Sequence, residues 1–132
     1  MVDIMTLNGG QSVLGAPEIA ALRSGLRGAV LLSGDEGYET ARRVWNGNVD
    51  RRPAVIVRCL SFSDVQRAVD LATKRDLLVS VRGGGHSAPG YGTNEGGLVI
   101  DLSSMKAVSV DPAGCTARAE GEIGRASCRE RV

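Results

Sequence analysis

Apolar positions change their period along this chain. They are irregular at first, then helical, then gathered in short unbroken runs. Residues 1–15 are polar and glycine-rich with no clear period, which predicts a loose arm. Pro17 stands at a first helical position, Ile19, Leu22 and Leu26 recur at helical spacing, and Gly28 follows, so a helix is expected over about 17–27. Ala29–Leu32 reads as a short strand and Asp35–Trp45 as a second helix. After the turn signal Asn46-Gly47-Asn48 the pattern sharpens. Ala54-Val55-Ile56-Val57 is a β-branched run suited to a buried strand. Ser61 and Asp64 make a start resembling a capping box. Val65, Ala68, Val69 and Ala72 then define one apolar stripe, with Gln66, Arg67, Asp70 and Lys74 opposite. Leu77-Leu78-Val79-Ser80-Val81 is a second buried-type strand.

Strand, helix and strand within about 28 residues form a βαβ unit, expected to be parallel with a right-handed crossover. Residues 98–102 and 106–110 read as further strands joined by Ser103-Ser104-Met105. Asp111-Pro112-Ala113-Gly114 is a turn, and 115–119 a last short strand. The fold class is α/β, bordering on α+β: a parallel βαβ unit with flanking helices followed by short strands. The polar stretch 46–52 is the best internal boundary, and no internal repeat is visible.

Composition adds constraints. The 132 residues and 13.8 kDa suit one small domain. Sixteen basic and fifteen acidic residues give a net charge of +1, so electrostatics point to neither a nucleic-acid nor a membrane partner. Cys59, Cys115 and Cys128 are widely spaced without a C-x-x-C, which indicates neither a zinc site nor a disulfide framework. No basic-then-apolar leader opens the chain and no apolar run approaches the ~20 residues of a membrane span, so a soluble cytoplasmic setting is expected. Glycine is the anomaly: 18 residues, about 14% against a usual ~7%.

Seven of those glycines fall in residues 83–97, in a segment reading R-G-G-G-H-S-A-P-G-Y-G-T-N-E-G-G from Arg82. It leaves the carboxyl end of the second parallel strand, where open α/β sheets bind ligands. Consecutive glycines let main-chain N–H groups converge on an anion, a nest for phosphate, and Arg82 adds a positive charge beside it. No G-K-[ST] is present, which excludes a P-loop. No G-x-G-x-x-G opens a helix, which disfavours a dinucleotide-binding Rossmann site. A flexible turn-rich surface loop is the plain alternative. His86, the only histidine, directly follows the triple glycine and favours the functional reading.

The combination R-G-G-G-H-S-x-x-G, preceded by L-L-V-S-V and followed by G-G-L-V-I-D-L-S-S-M, resembles the FAD-linked oxidases. These share the FAD-binding domain of vanillyl-alcohol oxidase and p-cresol methylhydroxylase, and the nearest likeness is to the berberine-bridge-enzyme-like branch. The resemblance extends over about 29–121, including R-x-V-W-N-G around Trp45 and R-P-A-V-I-V-R-C at 52–59. It implies that Arg82, Gly83, Gly84, Gly85, His86 and Ser87 bind the pyrophosphate of FAD, with Tyr91 nearby. It also implies a covalent bond from His86 to the flavin 8α-methyl carbon, and oxidation of an alcohol- or sugar-type small molecule in a full-length parent. A non-catalytic phosphate- or nucleotide-binding module using the glycine nest alone is the alternative.

From the residues themselves, Ser87, Tyr91 and Asn94 stand open between flavin contact and loop solvation. Asp101 reads as a strand-end hydrogen-bonding residue, Trp45 and Tyr38 as packing against the βαβ unit, and Cys59 as an inert core thiol. Residues 1–28 make an arm and helix, and 29–121 part of the FAD-binding domain. The closing E-I-G-R-A-S-C-R-E-R-V, residues 122–132, changes composition abruptly and resembles a translated sequencing adapter, so a non-native tail is expected there. The second half of the flavin cradle and the substrate-binding region are then expected to lie outside this chain.

Overall fold

A computed structural model of the chain describes residues 1–122. The tail expected to be non-native lies outside the described residues from 123 onward, and Cys128 with it. The chain builds an α/β arrangement around a four-stranded mixed sheet. In chain order the elements are β1 (Val2–Met5), β2 (Gln11–Leu14), α1 (Ala16–Gly25), β3 (Ala29–Leu32), α2 (Tyr38–Ala41), β4 (Val55–Arg58), α3 (Phe62–Lys74), β5 (Val79–Arg82), β6 (Leu98–Asp101), β7 (Val108–Asp111) and β8 (Thr116–Ala119).

The central sheet runs β3-β4-β6-β5. β3 is antiparallel to β4, whereas β4 and β5 both lie parallel to β6. The expected βαβ unit is therefore present with its strands parallel, but β6 is inserted between them. The insertion explains a second departure. β5 sits at the sheet edge with Val81 exposed, whereas β6 takes the centre and is buried at all four positions.

α3 packs through Val65, Ala68, Leu71 and Ala72. Val69, expected in that stripe, is 46% exposed. The Ser61 side chain makes no cap bond, so no capping box forms. Asp64 is instead fully buried and accepts the amides of Arg27, Gly28 and Leu60. Gly28 leaves no room for a side chain, since a Cβ there would meet the Arg58 carbonyl oxygen at 1.8 Å.

Three local expectations need correction. Residues 1–15 are not a loose arm: β1 and β2 form an antiparallel hairpin that buries Ile4 and Leu14 in the core. The turn is built on Asn8-Gly9, with Gly9 at φ +79, a hairpin signal present in the sequence. The second helix shrinks from 35–45 to one turn at Tyr38–Ala41. Tyr38 packs as expected and donates its hydroxyl to the Pro53 carbonyl at 2.7 Å, but Trp45 is 71% exposed. The strand following β6 pairs with β8 in a separate antiparallel hairpin. Among the described residues no helix is long and apolar enough to cross a membrane.

Candidate functional site

Register brings the carboxyl ends of the three parallel strands together. Asp101 of β6 lies opposite Arg58 on one side and Arg82 on the other. Asp101 is fully buried. It pairs with Arg58 Nε at 3.4 Å and accepts the Ser103 amide at 3.0 Å, the strand-end role expected of it. The glycine-rich segment 83–97 departs from this edge and crosses back to the amino end of β6.

Within that segment the structure brings Arg82, Gly83, Gly84, Gly85, His86 and Ser87 into one short turn of chain. Among the described residues, the amides of Gly83 through Ser87 donate to no acceptor. Gly85 is buried at φ +71, a left-handed conformation that a side chain strains. A Cβ on Gly84 would lie 2.7 Å from His86 Cδ2, and one on Gly83 would lie 2.8 Å from the Gly121 carbonyl oxygen. Gly83 is thus required by close approach to main chain, Gly85 by its φ, and Gly84 by the present place of the His86 ring, and the run of donors without acceptors among the described residues suits an anionic oxygen. Arg82 donates from Nη1 to the Ala41 carbonyl, while its Nε is buried without a partner among the described residues. This fits a phosphate-bearing group: among the described residues, five amides and one cationic donor have capacity left at one place.

Side-chain hydrogen bonds brace the remainder of the loop. Ser87 accepts the Tyr91 amide at 3.2 Å, and Tyr91 itself is 75% exposed. Asn94 is buried and fixes the return to β6, donating to the Leu98 carbonyl at 2.9 Å and accepting the Gly97 amide at 2.9 Å. It is a hinge pin of the loop, its side chain committed to the neighbouring strands rather than to solvent.

Residues 41–52 frame the site, a role that sequence reasoning did not assign. Trp45 donates its amide to the Gly85 carbonyl at 3.0 Å and Asn46 Nδ2 donates to Ala88 at 2.8 Å. Arg51 donates to the carbonyls of Gly90 and Thr93 at 2.9 and 3.0 Å. This frame is itself held by Arg42, nearly buried between Asp50 and Glu39. The Arg42 guanidinium lowers both carboxyl pKa values, with Arg52 adding to the effect on each. The only signal for these roles was the R-x-V-W-N-G string, whose partners lie some 40 residues away in the chain.

The FAD binding domain family matches residues 53–123, just over half of the chain. The (R)-6-hydroxynicotine oxidase of Paenarthrobacter nicotinovorans is 41% identical over 98 residues, 74% of this chain and 21% of that protein. Among solved structures, 6-hydroxy-D-nicotine oxidase from Arthrobacter nicotinovorans aligns with a TM-score of 0.69 at 41% identity, over 74% of this chain and 22% of that one. BBE-like 1 of Physcomitrella patens aligns with a TM-score of 0.64 at 29% identity, over 75% and 22%. The chain spans about a fifth of the length of the curated relatives it matches.

Proposed function

This chain belongs to the FAD binding domain family of FAD-linked oxidoreductases, and from that premise we propose that residues 82–87 hold the FAD pyrophosphate and that His86 tethers the flavin. The observation that carries the reading is the run of amides from Gly83 to Ser87, without acceptors among the described residues, beside the unpartnered Nε of Arg82. In this reading the amides of Gly83, Gly84 and Gly85 face the phosphate oxygens and Arg82 supports them with charge. Half-buried Ser87 and exposed Tyr91 form the rim. When bound, the flavin supplies an acceptor for hydride from a substrate carbon. The chain's own part is to bind, orient and anchor it. His86 suits the anchoring role because it is exposed, follows a backbone shaped for close approach, and carries a nucleophilic ring nitrogen.

We assign the substrate side to the full-length protein, where the family resemblance implies an alcohol- or sugar-type molecule. The 41% identity to an (R)-6-hydroxynicotine oxidase favours a hydroxynicotine-type substrate as a second reading. By itself the 132-residue chain is expected to hold FAD poorly and to turn over no substrate. Acid precipitation of the full-length protein tests the tether: yellow colour should stay with the protein and be lost in His86→Ala. Colour that washes out of the unmutated protein would sink the covalent role and leave reversible FAD binding. A protein that binds other phosphates as tightly as FAD would favour the non-catalytic phosphate- or nucleotide-binding alternative.

A further inference from the structure

Trp45 and His86 are the sole tryptophan and sole histidine of the chain, 41 residues apart, and the fold sets their rings side by side. The centroids lie 6.5 Å apart with the planes tilted by 53°, within the range where aromatic pairs attract. Burial does not account for this tryptophan, which is 71% exposed and belongs to neither core cluster. Its main chain is committed to the same place, since the Trp45 amide donates to the Gly85 carbonyl at 3.0 Å. The 85–86 peptide is trans and planar, so a carbonyl drawn towards Trp45 turns the His86 N–H away from it, in the opposite direction. On another side the imidazole lies against the bare Gly84 Cα, where a Cβ would stand 2.7 Å from Cδ2.

We propose that Trp45 is a positioning residue for His86: its main chain sets the direction of the His86 peptide, and its indole forms a wall that selects one rotamer of the imidazole. The functional weight of this rests on His86 being the flavin tether. A nucleophile that must meet one carbon gains rate when its rotamer is already selected. The pairing itself concerns only the two side chains and is open to test without flavin.

The chain has one imidazole, so its two ring C–H resonances are unambiguous. In Trp45→Ala both should move towards the positions of free histidine, because the indole ring current is gone. Trp45→Phe should retain part of the displacement, and Trp45→Leu, which keeps bulk without an aromatic ring, should behave like Trp45→Ala. Acylation of His86 by diethyl pyrocarbonate gives a second readout. Its rate should rise in Trp45→Ala by roughly two- to tenfold, the factor such a pair imposes on a rotamer, and by less in Trp45→Phe. Resonances and acylation rate both unchanged in folded Trp45→Ala or Trp45→Leu would overturn the proposal. Should those two variants fail to fold, Trp45→Phe decides alone, since an unaltered imidazole signal there is incompatible with indole contact. If both readouts respond but the full-length protein keeps no acid-stable flavin, the tether reading fails and the pairing stands.

Discussion

Asp64 accepts the main-chain amide of Gly28 at 3.1 Å across 36 residues of chain. Its carboxylate also takes the amides of Arg27 and Leu60, each at 2.9 Å, so one side chain ties the start of α3 to the link between α1 and β3. Asp64→Ala leaves three part-buried amides without their acceptor. With water able to replace part of the lost bonding, a loss of about 1–3 kcal/mol is expected. Asp64→Asn keeps one acceptor oxygen and should fall between. Urea denaturation followed by circular dichroism measures both, and an unchanged midpoint in Asp64→Ala would show that the clamp carries no stability.

The same contact sets the response to acid. Burial alone raises the Asp64 pKa, but hydrogen bonds from Arg27, Leu60, Ser61 and Gly28 outweigh it, and the net shift is downward. A carboxyl depressed in the folded state stabilises above its unfolded value of about 3.9, and that contribution is lost as pH falls through the lower folded value. Glu18, held down by the Gly15 amide and Arg75, Glu39 by Arg42 and Arg52, and Asp50 by Arg42 have the same sign. These three are solvent-screened and contribute little. Stability should therefore hold from pH 7 to about 5 and decline below about 4. The difference between wild type and Asp64→Asn should shrink on the acid side. A difference of equal size at pH 7 and pH 3 would refute the assignment.

Much of this architecture was legible because its signals are local. The Val55-Ile56-Val57 run, the helical spacing through Ala68 and Ala72, and the triple glycine before His86 each announce an element within a few residues. What was hidden depends on partners distant in sequence. Nothing near Val81 says that Leu98–Asp101 will take the centre of the sheet and leave β5 at its edge. Trp45 reads as a packing residue by type, and only the return of Gly85 beneath it shows otherwise. Asn94 belongs to a polar loop by composition, yet three hydrogen bonds make it a buried brace. In residues 1–15 the strands mix polar and apolar positions instead of forming an apolar run, so only Asn8-Gly9 signals the hairpin.

Cys59 offers a chemical check on the core. Burial is the main cause that pushes its thiol up to about 12, with the negative charges of Asp64 and Asp101 adding to it. At pH 8 such a thiol is ionised to roughly one part in ten thousand, so alkylation should be negligible in the folded protein. Cys115 is exposed and should react. Iodoacetamide treatment with peptide mass mapping reads both sites. Cys59 should become labelled only after denaturation, and labelling at a rate matching Cys115 in native buffer would contradict a closed core.

Gly84 and Gly85 are adjacent, yet the structure requires them for different reasons, and their variants should separate FAD binding from tethering. Gly85 has space for a Cβ, its nearest neighbour being Arg82 Nε at 3.5 Å, but its φ of +71 is the obstacle. A left-handed residue with a side chain costs about 1–2 kcal/mol, so Gly85→Ala should leave the fold intact and shift the loop. With 1.4 kcal/mol per tenfold, FAD affinity in the full-length protein should fall by roughly tenfold. In Gly84→Ala the new methyl meets the His86 imidazole, and the ring must turn away. Reversible binding should then stay nearer to wild type while flavin retained after acid precipitation drops. Titration of flavin fluorescence measures the first quantity and acid-stable absorbance the second. Equal losses of both in the two variants would mean that the loop acts as one unit and that His86 has no separate position to lose.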